Sequence, residues 1–289
     1  MRVPVGDIEL YVYEKGEGRP LVALHGGPGL DGSVWFPGLD PLADEGWRIL
    51  AVDHRANGRS DAGDPARWTV PQMADDVEIL ISALDLRSPV VMGWSFGSFV
   101  AQSHMVRHGT AAGYVLMGTV AEPRALHAVT DRLAVFEPER LRAQVTASWE
   151  REATVATAEE AKQLLADQLP FHVANPGSPL VEWLIENDHV VYRPEVLRHF
   201  SADGEYGLVD HREELRSLER PVLVLSGAHD RTTPAASAHE LAEAIPGAEE
   251  VVLADSAHML PYEEPDAFLA ALRAFLARIS TGSRGEGTR

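Results

Sequence analysis

The fold is decided by the stretch PVVMGWSFGS, residues 89–98. Its first residues form a short apolar run that is typical of a buried strand, and the residues after it favour a helix to about His108. Ser95 lies between the two, at the centre of a G-x-S-x-G pattern. The flanking glycines allow strand and helix to approach closely, and the helix N-terminus favours negative charge beside the serine. The pattern therefore predicts Ser95 as a nucleophile on a strand-to-helix turn.

Apolar runs of the same kind recur on both sides of this turn, with helical patterns between many of them. The runs cover residues 8–13, 20–24, 47–52, 114–117, 221–225 and 251–253. Strands that alternate with helices predict right-handed crossovers and a mostly parallel sheet with helices on both faces. The fold class is therefore α/β.

The alternation stops between about Val120 and Ser217, where helices and loops are indicated and no clear strand is found. We interpret residues 120–217 as a helical cap inserted into a core made of residues 1–119 and 218–280. Residues 281–289 are rich in Gly, Ser and charged residues, and we expect a disordered tail there.

A nucleophilic serine needs a base, and the base needs an acid that orients it. In proteins whose nucleophile lies on this kind of turn, the three residues occur along the chain in the order serine, acid, histidine. Asp230 follows one predicted strand and His258 follows the next, so both should lie at the carboxyl edge of the sheet with Ser95. Glu122 and Asp255 are the rival acids, and we expect Asp255 to be a loop carboxylate because it precedes His258 by only three residues.

An oxyanion hole is predicted from the loop HGGPG, residues 25–29, which follows another strand. Its glycines present backbone without bulky side chains. One N–H from this loop and one from Phe96 would point at the developing oxyanion, and losing one such donor costs about 2.7–4 kcal/mol in known enzymes.

Composition excludes several other classes of function. The 289 residues carry a formal net charge of −19, which disfavours nucleic acids and anionic membranes as partners. There is no cysteine, so disulfides and thiolate chemistry are excluded. We find no signal peptide and no apolar run of transmembrane length, and therefore expect a cytoplasmic protein.

The sequence predicts neither a metal nor a cofactor. No nucleotide-type glycine pattern follows a strand. His104 and His108 are spaced to share a helix face, but a metal site needs three or four clustered ligands. We expect most of the other histidines, His54 and His172 among them, to be surface or loop residues.

The chain resembles the α/β-hydrolase superfamily over nearly its whole length and, within it, the proline iminopeptidase family of serine aminopeptidases. The matching motifs are HGGPG at 25–29, DHRANGRS at 53–60, GWSFGS at 93–98 and the region from Ala257 to Pro265. The resemblance implies an α/β-hydrolase fold with a helical cap.

The same resemblance implies a role for each of five core residues. Ser95 would be the nucleophile, Asp230 the acid and His258 the base, and the N–H groups of Gly27 and Phe96 would form the oxyanion hole.

In that family two cap glutamates bind the free amine of the substrate. The matching segments here are Ser148-Trp149-Glu150 and Ile185-Glu186-Asn187. A buried ammonium needs carboxylate partners, so the resemblance implies that Glu150 and Glu186 bind the amine. The predicted substrate site also includes Gly26 and Trp94.

These motifs predict a serine hydrolase that cleaves an N-terminal aminoacyl amide through an acyl-enzyme. The substrate would be a small molecule or peptide with a free N-terminal amine. The released residue stays open between Pro, Ala or another small residue, and the leaving group could be a non-peptide amine. The alternatives are a carboxylesterase or lactonase with the same triad and, more remotely, a non-catalytic ligand-binding homologue.

Overall fold

A computed structural model of the chain describes residues 1–122, 126, 128–202 and 210–282. Its strands, numbered β1 to β8 in chain order, are Arg2–Val5, Ile8–Lys15, Arg19–Leu24, Trp47–Val52, Val90–Trp94, Gly113–Met117, Val222–Gly227 and Glu249–Leu253. They form one sheet in the order β1-β2-β4-β3-β5-β6-β7-β8. Every predicted strand is present. Strand β1 was not predicted, because it is only four residues long. Its two valines are buried.

The sheet is antiparallel at one end and parallel elsewhere. β2 runs antiparallel to β1 and to β4, and every pair from β4 to β8 in the sheet order is parallel. From β3 the chain winds to β4 on one side and to β5 on the other, so the strand order reverses between β3 and β5. Ligand sites of open α/β sheets lie beyond the carboxyl ends of the strands at such a reversal. The loops after β3 and β5 therefore lie where a site is expected.

The α-helices of the described residues are numbered in chain order. From α1 to α12 they are Asp40–Ala43, Val70–Ala83, Phe96–Arg107, Val129–Ala134, Glu139–Arg151, Ala158–His172, Pro179–Glu186, Pro194–Ala202, Arg212–Leu215, Ala235–Ala244, Leu260–Glu263 and Pro265–Gly282.

Each face of the sheet carries its own apolar layer. Along β3, Val22 and Leu24 belong to the layer that packs under α2, α3 and α10, whereas Leu21 and Ala23 belong to the layer under α1 and α12. This alternation follows from the two-residue period of a strand. The α/β-hydrolase-type architecture predicted from the sequence is confirmed, with helices on both faces.

Between β6 and β7 the described residues form helices α4 to α9 and contain no strand. Two small apolar clusters hold this region together, one around Phe136 and Phe171 and one around Leu164 and Leu197. The predicted cap boundaries, 120–217, fall in the loops on either side. The longest of these helices, α6, begins with a capping box between Thr157 and Glu160.

At the C-terminal end, α12 continues to Gly282, two residues into the segment predicted as a tail. Residues 283–289, the rest of that predicted tail, lie outside the described residues. Across the described part of the chain, no helix is both long and apolar enough to cross a membrane.

Candidate active site

Ser95 lies on a sharply bent turn between β5 and α3. Its φ of 53° and ψ of −114° are unusual for a residue with a side chain. A Cβ at Gly93 would lie 2.2 Å from the carbonyl oxygen of Gly97, and one at Gly97 would lie 2.2 Å from that of Leu24. Both glycines are therefore required by close backbone approach, which is the physical reason for the G-x-S-x-G pattern.

The predicted acid, Asp230, lies in the loop that follows β7, where it is buried and held by several donors. Its Oδ1 accepts the N–H groups of Thr232 and Thr233, and its Oδ2 accepts the Thr233 hydroxyl at 2.7 Å. Burial alone would raise the pKa of this carboxyl. The His258 charge and the hydrogen bonds from His258 and Thr233 outweigh burial and hold the pKa below its usual value. Asp230 is thus maintained as a carboxylate.

The predicted base, His258, lies after β8, and its Nδ1 is 2.7 Å from Asp230 Oδ2. Because a carboxylate can only accept, Nδ1 carries the proton and Nε2 is left to accept one. Glu263 fixes the backbone on either side of His258, since its Oε2 accepts the N–H groups of Ala257 and Met259. The indole N–H of Trp94 also donates to the His258 carbonyl, at 3.1 Å.

The two rival acids lie elsewhere. Glu122 is near the guanidinium of Arg212, at 3.6 Å. Asp255 is exposed, and its backbone N–H donates to Glu264. The acid that hydrogen-bonds to His258 is Asp230, in agreement with the serine–acid–histidine chain order.

The glycine loop predicted for the oxyanion hole lies directly against Ser95. A Cβ at Gly26 would lie 3.3 Å from the Ser95 Cβ, and Gly27 has a φ of +57°. Gly29, two residues further along the loop, is held by Asn57, whose Oδ1 accepts the Gly29 N–H at 2.6 Å. Phe96 is the first residue of α3, and N–H groups in the first turn of a helix point toward the preceding loop. This arrangement is compatible with the predicted roles of Gly27 and Phe96, which remain a prediction.

Two buried histidines stand behind this loop. The His54 N–H donates to His25 Nε2 at 3.3 Å, so His25 Nδ1 carries a proton and donates to the Gly26 carbonyl at 2.9 Å. Burial lowers the pKa of His25 to about 4 and that of His54 well below its usual value, so both are neutral at pH 7. His54 lies in a loop, as one of the two predicted placements has it, but it is buried there and its ring makes a T-shaped contact with the Phe96 ring.

A cavity of about 1060 Å³ opens above the sheet edge and is roofed by the cap. Ser95 and His258 line it, as do Gly26, Gly27 and Trp94. Most of the remaining wall is apolar, with Leu and aromatic side chains from α4, α6 and α7. The core residues predicted for the site are thus brought together at one cavity, apart from Asp230, which lies behind His258.

The two cap glutamates predicted to bind an amine are placed differently. Glu150, near the end of α5, lines the cavity but is an exposed residue. Glu186 is the last residue of α7, is exposed, and is absent from the cavity wall. The structure therefore does not bring Glu186 to the site.

Sequence reasoning missed Glu152 and His172, both of which line the cavity. The Glu152 carboxylate accepts hydrogen bonds from Gln168 at 2.7 Å and from Ser201 at 3.1 Å, and burial raises its pKa. His172 was expected on the surface or in a loop, but it ends α6 beside His258. Glu152 is only two residues from the matched Glu150, so the same match already indicated this part of the chain. No sequence signal distinguished His172.

The chain belongs to the alpha/beta hydrolase fold family, whose model matches residues 19–265. It is 28% identical over 269 residues to the AB hydrolase superfamily protein YisY of Bacillus subtilis, covering 90% of this chain and 92% of that one. Among solved structures it is similar to an esterase from Thermogutta terrifontis, with a TM-score of 0.75, 25% identity and coverage of 96% and 98%. It also shares its fold with a proline iminopeptidase of Mycobacterium smegmatis, with a TM-score of 0.74, 23% identity and coverage of 98% and 99%.

Proposed function

We propose that this protein is a serine hydrolase that cleaves a carboxylic ester through an acyl-enzyme on Ser95. The proposal is carried by the buried 2.7 Å hydrogen bond between His258 and Asp230, at a cavity that Ser95 also lines. A base fixed in this tautomer has its free nitrogen available for the serine proton.

In the first half-reaction Ser95 Oγ attacks the ester carbonyl carbon while His258 Nε2 takes the hydroxyl proton. The carbonyl oxygen becomes an oxyanion, which the N–H groups of Gly27 and Phe96 stabilise. The intermediate then expels the alkoxide oxygen, which leaves as an alcohol with the proton from His258. The acyl group remains on Ser95, and Asp230 stabilises the imidazolium that forms in between.

In the second half-reaction water attacks the acyl-enzyme and gives its proton to His258. The second tetrahedral intermediate collapses, Ser95 recovers the proton, and a carboxylic acid is released. No cofactor takes part in any of these steps.

Two observations favour an ester over an aminoacyl amide. The wall of the cavity is mostly apolar, which suits an uncharged acyl or alcohol group. Of the two carboxylates that the resemblance assigns to an α-amine, Glu186 lies outside that wall. The likeness to the Thermogutta terrifontis esterase agrees with this choice.

One observation favours the second candidate, an aminoacyl amide with a free α-amine. Glu152 faces the cavity among neutral hydrogen-bond donors, and its pKa is raised because burial disfavours the charged form. An ammonium beside it would favour the carboxylate. Glu150 would then be the rim carboxylate and Glu152 the inner one.

A matched set of aryl substrates decides between the two candidates. We would measure kcat/KM for p-nitrophenyl butyrate, alanine p-nitroanilide and N-acetylalanine p-nitroanilide, with Ser95→Ala as the blank. Ester cleavage that exceeds anilide cleavage and disappears in the blank supports the first candidate. Strong cleavage of the free anilide that is lost on N-acetylation supports the second. Ester turnover that survives in Ser95→Ala would refute both.

The isosteric variant Glu152→Gln sharpens the test. If Glu152 binds an ammonium, the variant loses activity on alanine p-nitroanilide and keeps its activity on the neutral ester. Glu182→Gln is the matched control, because Glu182 is an exposed residue of α7 outside the cavity wall. Equal losses on both substrates would mean that Glu152 only supports the cavity.

A further inference from the structure

One cavity residue comes from the cap and yet contacts the catalytic machinery of the core. His172 is the last residue of α6, and its ring forms part of the cavity wall next to His258. The two ring centroids are 5.3 Å apart, with 38° between the planes. The cap therefore supplies a second imidazole beside the catalytic one.

Hydrogen bonds join His172 to both the base and the acid loop. The backbone N–H of His258 donates to the His172 carbonyl at 2.9 Å. The hydroxyl of Thr232 lies 2.9 Å from His172 Nδ1, and the N–H of the same threonine donates to Asp230 Oδ1. Moving His172 would thus disturb the backbone of His258 and the loop that holds Asp230.

The residues that directly follow α6 are hydrogen-bonded to the core. Arg231 donates to the carbonyls of Val173 and Ala174, at 2.8 and 3.3 Å. The Ala174 N–H donates to Glu263, the same carboxylate that fixes the loop around His258. His172 is therefore held in place by the residues that hold the base and the acid.

The His172 ring is neutral across the working range of such an enzyme. Burial, together with the charges of His258 and Arg231, lowers its pKa to about 3, and only Asp230 opposes them. A neutral ring fills space against His258 without repelling the imidazolium that forms during turnover. A cation at the same place would oppose proton transfer to His258.

We propose that His172 is a positioning residue, supplied by the cap, that holds the ring of His258 in line between Asp230 and Ser95. The triad is then fully ordered only while the end of α6 is seated on the core. This inference rests on the proposed serine hydrolase function.

Two substitutions separate the parts of the contact. In His172→Asn the side-chain amide can still hydrogen-bond to the Thr232 hydroxyl but the ring is lost, whereas His172→Phe keeps a ring and loses the hydrogen bond. We expect kcat for p-nitrophenyl butyrate to fall about 10- to 100-fold in the two variants, since small misplacements of catalytic groups have effects of this size. KM should change less than about twofold, because His172 is one of many residues in the cavity wall and the rest of the wall is unchanged. His239→Gln is the control, as His239 is an exposed residue on α10.

Two further readouts separate positioning from a loss of folded protein. Active sites are titrated with a p-nitrophenyl phosphonate, so that kcat refers only to folded enzyme. The downfield proton resonance of His258 Nδ1–H reports the hydrogen bond to Asp230, and it should shift or broaden in the His172 variants and stay unchanged in His239→Gln.

Wild-type kcat per titrated site and an unchanged proton resonance in both His172 variants would overturn the inference. With Ser95→Ala inactive, that result leaves the proposed function standing. Ester turnover retained by Ser95→Ala would instead remove the proposed function itself, whatever His172 does.

Discussion

The core loops that carry Ser95, Asp230 and His258 and the cap helices that line the cavity differ in how tightly their side chains are fixed. In the core, a Cβ on either glycine beside Ser95 would lie 2.2 Å from a backbone carbonyl oxygen, so only glycine fits at these positions. Asp230 is likewise fixed, because it accepts four hydrogen bonds. In the cap, α7 has no buried residue, and Trp183 on its surface is 42% exposed. A sequence motif in the core therefore indicates where a side chain lies in the folded protein. A motif in the cap indicates only where the residue lies along a helix, and not what its side chain faces.

The largest effect is expected where the core is most crowded. Gly97→Ala puts a methyl group 2.2 Å from the Leu24 carbonyl oxygen, where only backbone movement can relieve the clash. We expect a loss of stability of about 3 kcal/mol or more and no active enzyme. Thermal unfolding and ester turnover measure both.

The control for this change is Gly177→Ala in the cap, where the nearest atom is a side-chain oxygen at 3.5 Å. It should change stability by less than about 0.5 kcal/mol, as surface substitutions commonly do. A Gly97→Ala enzyme with wild-type turnover would show that the turn at Ser95 is not constrained in this way.

The next effect should appear at the acid. Asp230→Asn keeps the shape of the side chain but removes the charge that stabilises the His258 imidazolium and selects its tautomer. In serine hydrolases with such a triad this change lowers kcat about 10⁴-fold. Turnover per titrated active site measures the loss. A fall of less than about tenfold would reassign the acid to another carboxylate.

A smaller effect is expected in the pH dependence of stability, from a buried carboxyl in the loop after β4. Burial raises the pKa of Asp53 to about 7. The unfolded chain loses this proton near pH 4 and the folded chain near pH 7, so folding binds a proton between these values. The contribution of Asp53 to the unfolding free energy therefore decreases as pH rises through this window, by at most about 1.4 kcal/mol per pH unit.

Urea unfolding of the wild type and of Asp53→Asn at pH 4, 5.5, 7 and 8.5 isolates this contribution. The difference between the two slopes is the informative quantity, because the variant also alters hydrogen bonds to Gly32 and Arg59. Parallel curves for the two proteins would show that Asp53 titrates normally.

The smallest effect is expected at Glu186. Because this carboxylate is exposed and outside the cavity wall, Glu186→Gln should leave kcat/KM unchanged on the ester and on alanine p-nitroanilide. The same steady-state assay detects a change. A loss confined to the free anilide would restore the amine-binding role that the resemblance implies, and would mean that α7 moves onto the substrate.

The extent to which the sequence predicted the molecule follows the same division. The β-α-β pattern and the G-x-S-x-G turn depend on strand burial and backbone crowding, which are local and leave a clear pattern. The pairing of Asp230 with His258 followed from chain order and from the carboxyl edge of a parallel sheet. The short antiparallel strand Arg2–Val5 left too weak a pattern to predict.

In the cap the sequence was a poorer guide. A short match such as Ile185-Glu186-Asn187 does not say which side of a helix faces the cavity, because that depends on how α7 packs on the core. His172 gave no signal, since its surroundings come from residues 232 and 258, far away in the chain. Contacts between cap and core join residues that are far apart in the chain. No local periodicity in a single sequence indicates such contacts.

The most direct test of the proposed mechanism is to trap the acyl group. The wild-type protein and Ser95→Ala are mixed with p-nitrophenyl butyrate, quenched in acid within milliseconds and analysed by peptide mass. If Ser95 is the nucleophile, we expect a burst of nitrophenol and a butyryl group on the peptide that contains Ser95, with neither in the variant. A butyryl group on another residue, or steady turnover without Ser95, would contradict it.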